Sequence, residues 1–132
     1  MKLEFLANRI DGVGYHPDFS EHLLVLSDFT VEEACKFRDA LIRELLPAQK
    51  PLDLSGQYYI ELVNCNLLIR LSDEDEGIRT RDQQLLYCDL TPDTYKHMLE
   101  VLQPFCEKEK RGYSFLSEEG DIDFLLSPGK AL

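Results

Sequence analysis

A chain of 132 residues with 44% hydrophobic and 10% aromatic content has enough apolar surface for one folded domain, which excludes a disordered or fibrous class. Twenty-five carboxylates against 14 Lys and Arg leave a net charge of −11, which argues against nonspecific binding to nucleic acid or to an anionic membrane and makes a basic protein the electrostatically favoured partner. No signal-like apolar run follows Met1 and no apolar stretch approaches the ~20 residues that span a bilayer, so a cytoplasmic protein is expected.

Leu3 and Phe5 alternate with Lys2 and Glu4 and predict a half-buried first strand. Asp11-Gly12 and Gly14 predict a hairpin turn before Tyr15-His16-Pro17. Leu23-Leu24-Val25-Leu26 is apolar on successive residues, as in a strand buried on both faces. Asp28-Phe29-Thr30 then opens a helix: Thr30 and Glu33 have capping-box spacing, Phe29 is placed to staple onto Ala34, and Ala34, Cys35, Leu41, Ile42, Leu45 and Leu46 form one apolar stripe up to Pro47.

Alternation resumes from Tyr58 to Val63 and from Leu67 to Leu71, on either side of Asn64-Cys65-Asn66, and predicts a hairpin whose outer face carries Tyr59, Val63 and Leu68. Asp73-Glu74-Asp75-Glu76-Gly77, with Arg79 and Arg81 beyond it, reads as a solvated, mobile loop without periodicity. A second strand, Leu85-Leu86-Tyr87-Cys88, runs through Asp89-Leu90-Thr91 into a helix with Pro92 at its first position. Tyr95, Met98, Leu99, Leu102 and Cys106 form its apolar stripe, and Pro104 is expected to kink or end it. Tyr113–Ser117 and Ile122–Ser127 flank an acidic turn, Glu118-Glu119-Gly120-Asp121, as a last hairpin.

The two strand, Asp-apolar-Thr, helix, hairpin units predict an α+β fold in a single domain spanning 1–132. It is read as a tandem βαββ pseudo-repeat with halves of about 1–76 and 77–132, sharing a mainly antiparallel sheet with two helices packed on one face. Cys35, Cys65, Cys88 and Cys106 form no C-x-x-C pair, so a zinc site or dithiol motif is not indicated and they read as structural thiols. There is no G-x-S-x-G, H-E-x-x-H or P-loop, hence no expected catalytic residue, metal or cofactor.

The leading expectation is a non-catalytic protein-binding module, of the kind that neutralises a cationic toxin. It would engage a basic partner through Asp73, Glu74, Asp75, Glu76, Glu118, Glu119 and Asp121, with Tyr59 as an aromatic anchor. The alternative is a small-molecule binder or enzyme with a cleft between the halves, where Tyr15, His16 and Arg70 converge near Tyr59. A homodimer through the outer sheet face is compatible with either.

Overall fold

The computed structural model describes residues 1–7 and 22–129. The α+β class expected from the sequence forms, with two helices and nine strands among the described residues. These are β1 (Lys2–Leu6), β2 (His22–Ser27), α1 (Val31–Leu45), β3 (Leu52–Asp53), β4 (Glu61–Leu62), β5 (Asn66–Leu71), β6 (Gly77–Thr80), β7 (Leu85–Leu90), α2 (Pro92–Glu107), β8 (Ser114–Ser117) and β9 (Ile122–Ser127). The predicted turn at Asp11-Gly12 lies outside the described residues.

The strands do not share one sheet. They form a five-stranded sheet in the order β4-β1-β2-β9-β8 and a four-stranded sheet in the order β3-β5-β7-β6. Four of the seven pairings are antiparallel, but the centre of each sheet is a parallel pair, β2 with β9 and β5 with β7. Each strand-helix unit therefore crosses between sheets. From β2 the chain passes through α1 to β3 and β5 in the second sheet, and from β7 through α2 to β8 and β9 in the first. Parallel central strands need apolar cover on both faces, which explains the unbroken apolar run of β2: Leu23, Leu24, Val25 and Leu26 are all fully buried.

The predicted hairpin around Asn64-Cys65-Asn66 is replaced by a crossing. Only Glu61 and Leu62 pair as a strand, parallel to β1 at the edge of the first sheet. The Asn64 side chain then stands in for a ladder rung: its amide nitrogen donates to the Phe5 carbonyl and its oxygen accepts from the Phe5 amide, both at 2.8 Å. This leaves Cys65 buried and sends the chain into β5 of the other sheet.

Both helix starts follow local chemistry. Thr30 and Glu33 complete the capping box, and the Thr91 hydroxyl accepts from the Thr94 amide ahead of Pro92. Pro104 does not end α2, which continues to Glu107; the missing amide removes one rung, while Phe105 and Cys106 in the same turn are buried and hold it. The two helices pack on each other, and their buried stripes join the inner faces of both sheets in one core. Leu23, Val25 and Leu125 form a separate buried cluster on the other face of the first sheet.

Candidate functional site

The outer face of the second sheet carries the densest ionic arrangement in the described residues. On β5, Leu67 and Ile69 point into the core, so Leu68 and Arg70 face outward; on β7, Leu86, Cys88 and Leu90 are buried and Tyr87 and Asp89 share the outward face. The register sets Leu68 beside Tyr87 and Arg70 beside Asp89, with Arg79 of β6 beside Tyr87 from the far side. Arg70 reaches Asp89 with two parallel bonds, Nε to Oδ1 and Nη2 to Oδ2, each 2.8 Å. Arg79 adds a third, Nη2 to Oδ2 at 2.8 Å, and also donates to Glu76 at 3.0 Å.

Asp89 is thus a nearly buried carboxylate under two guanidinium groups. Burial alone would raise its carboxyl, but the hydrogen bonds and charges of Arg70 and Arg79 outweigh it and hold Asp89 below the ordinary carboxylate range. The Arg70 guanidinium also lies over the Tyr87 ring, 4.4 Å from its centre. Beneath this layer the Tyr95 hydroxyl of α2 reaches the carbonyl oxygens of Arg70 at 2.6 Å and Cys88 at 2.8 Å, tying the helix to the parallel seam.

A groove of about 650 Å³ opens on this face, lined by Arg70, Arg79, Thr80, Arg81, Asp82, Leu85 and Tyr87. It straddles the β5–β7 seam. Its end wall is the turn after β6: Thr80 Oγ1 donates to the Leu85 carbonyl, and the Asp82 carboxylate accepts from the Gln84 and Leu85 amides. Asp82 is thereby turned to backbone amides, while the exposed Arg81 guanidinium has no hydrogen-bond or ion-pair partner among the described residues.

The predicted acidic residues come together beside this site. An ideal Cβ on Gly77, whose φ is +81, would stand 2.3 Å from the Glu119 carbonyl oxygen, and one on Gly120, at φ +79, would stand 3.2 Å from the Glu76 carbonyl oxygen. These close backbone approaches join loop 73–76 to turn 118–121. Asp73, Glu74, Asp75, Glu76, Glu118, Glu119 and Asp121, all exposed, thus form one face. The loop is not the unanchored segment expected. Ser72 and Glu76 amides donate to the Leu90 and Asp89 carbonyls, and Asp75 accepts from the Thr91 amide at 2.8 Å and the Thr94 hydroxyl at 2.7 Å. Those two bonds, the Thr91 amide first, lower the Asp75 carboxyl.

Other predicted residues fall elsewhere. Tyr59 leads into β4, at the opposite edge of the first sheet from β8, and its ring packs on Tyr58 near Lys36 of α1. It is not brought to the acidic face or to Arg70. Tyr15 and His16 lie outside the described residues; of the two described members of the expected cleft, Arg70 lines the groove and Tyr59 does not. Arg79, Arg81, Tyr87 and Asp89 carried no functional reading in the sequence. The available signal was the spacing Arg79-Thr80-Arg81, which is strand alternation leading into a turn.

Among the described residues no helix is long and apolar enough to cross a membrane. No protein-family model matches this sequence, and no curated protein matches it at a significant level.

Proposed function

We propose that the chain is a non-catalytic protein-binding module that engages a basic partner through the joined acidic face of loop 73–76 and turn 118–121. The observation that carries the reading is the backbone approach of Gly77 to Glu119, which makes one surface of two separately encoded acidic runs. Seven carboxylates on neighbouring loops, with Arg79 the one cation paired into them among the described residues, set up a field that steers a cationic surface toward this side. The loops suit the task because both are braced: the first by β7 and the cap of α2, the second by the β8–β9 hairpin. Little ordering is then required when a partner docks.

The test uses charge without disturbing the braces. Asp75 and Glu76 are left in place because they cap α2 and pair Arg79, and the variant carries Asp73→Asn, Glu74→Gln, Glu118→Gln, Glu119→Gln and Asp121→Asn. The tagged protein and the variant are used to capture proteins from extract of the native host at low and high salt, and the captured protein is then purified and its association rate measured. A basic protein held by the parent at low salt, released at high salt and lost to the variant is the expected result, with an association rate that falls as salt rises. Equal retention by parent and variant would refute the acidic-face reading.

A further inference from the structure

A second site stands on different residues. We propose that the groove on the outer face of the second sheet binds a small aromatic anion. Its phosphate or carboxylate is held by Arg81 together with the outward edges of Arg70 and Arg79, and its ring lies against Leu85 and the Arg70–Tyr87 stack.

Shape, charge and pre-organisation each support this assignment. The volume of about 650 Å³ falls in the range of small-molecule sites, and its wall combines an apolar part, Leu85 and Tyr87, with convergent polar groups. Three guanidinium groups line it, in a protein whose net charge is −11. Three local carboxylates face them: Asp89 lies nearly buried beneath Arg70 and Arg79, Glu76 accepts from Arg79 at 3.0 Å, and Asp82 accepts from the Gln84 and Leu85 amides, so that of the three guanidinium groups Arg81 is the one with no carboxylate partner among the described residues. Arg70 and Arg79 are already fixed by Asp89, so their remaining donors are held in position before any ligand arrives. Arg81 has no partner of its own among the described residues and presents a planar fork suited to two oxygens of one anionic head. The flat surface made by Arg70 over Tyr87 at 4.4 Å gives a ring something to stack on, which inorganic anions do not use.

The experiment titrates the purified protein with phenyl phosphate, benzoate and inorganic phosphate while amide NMR shifts are followed, on the parent and on Arg81→Gln. Saturable shifts confined to residues 70 and 79–87 are expected with at least one of the two ring-bearing probes, and the tighter of the two names the head group. Arg81→Gln should weaken that probe about ten-fold or more, the loss of a charge-assisted contact, with an unchanged melting temperature because no structural bond is removed. Inorganic phosphate should bind about ten-fold more weakly than the tighter ring-bearing probe, since it cannot use the apolar wall. Absence of saturable shifts at millimolar probe, equal affinity of parent and Arg81→Gln, or inorganic phosphate binding as tightly as the tighter ring-bearing probe would each overturn the assignment. The five substitutions that test the acidic face leave all groove residues intact, so either reading can fail without the other.

Discussion

Asp89 is the residue on which the second sheet's outer face depends, because it pairs with two arginines that belong to different neighbouring strands. Its carboxyl is lowered in the folded protein, so the unfolded chain binds the proton more readily as pH falls. The stability it contributes is present above the ordinary carboxylate value of about 3.9 and is lost as pH drops through the lower folded value. Asp89→Asn is expected to cost about 1–3 kcal/mol in urea unfolding at neutral pH and to shrink the acid-side decline, since the titrating group is gone. A neutral-pH loss without any change in the acid limb would show that Asp89 acts by shape and not by charge. Tyr95→Phe probes the layer beneath: it removes the hydroxyl that reaches two carbonyls across the β5–β7 seam and should cost about 1–2 kcal/mol by the same measurement. Neither role was legible in the sequence. The Asp-apolar-Thr joint looks the same at Asp28 and Asp89, yet Asp28 is exposed after β2 at φ +53 with Lys2 at 3.5 Å, whereas Asp89 lies inside β7. Partners 19 and 10 positions away decide the difference, and those arise from strand register, which local pattern does not contain.

At the scale of elements, the helices were readable and the edges were not. Caps at Thr30 and Thr91 and two 3.6-period stripes are local signals, and both helices form where they place them, although the buried face of α1 runs through Phe37 and Ala40 and leaves Ile42, expected in the stripe, exposed. The 58–71 hairpin failed because alternation reports exposure of faces and not the identity of the neighbouring strand. Asn64 binding Phe5 across the chain selected a different partner. Likewise β6 was missed because its four residues follow an acidic run, and its pairing with β7 overrides that composition. What could be read at Gly77 was only a solvated loop; the structure gives it two reasons to be glycine. Gly77→Ala places a methyl group 2.3 Å from a backbone oxygen as well as imposing φ +81 on a side chain, whereas Gly112→Ala meets φ +83 with nothing within 4 Å. Conformational strain alone costs about 1 kcal/mol, so Gly112→Ala should lose about that much in chemical denaturation. Gly77→Ala should lose clearly more, about 2–4 kcal/mol, and should shift the amide signals of both acidic loops. Equal losses in the two variants would mean that loop 73–76 and turn 118–121 separate without cost.

At the scale of the molecule, most charge lies on the surface while neutral thiols and phenols lie in the interior, and the two respond to alkali in the same direction. Burial pushes the Cys65 thiol up to about 11 and the Cys88 and Cys106 thiols up to about 12, and it raises the Tyr59 phenol to about 12 and the Tyr95 phenol further still. In the unfolded chain thiols ionise near about 8.5 and phenols near about 10. Between those values and the raised folded ones the native state holds more protons than the unfolded state, so stability must fall as pH rises. The contribution is fully present below about pH 8.5 and disappears progressively toward pH 12. Ionised thiols and phenols would also add to a net charge already at −11, so self-repulsion acts with the linkage and not against it. Melting temperature measured from neutral pH upward should therefore hold nearly level to about pH 8.5 and then fall with increasing slope. Replacing Cys65, Cys88 and Cys106 together by Ala should lower the neutral plateau, because all three are buried in the core, but should flatten the decline between about pH 8.5 and 9.5, where the thiols carry most of the difference between the states. A decline of undiminished slope in the triple variant would assign the alkaline loss to surface charge, and the cysteines would then be exchanging protons with solvent as freely in the folded protein as in the unfolded chain.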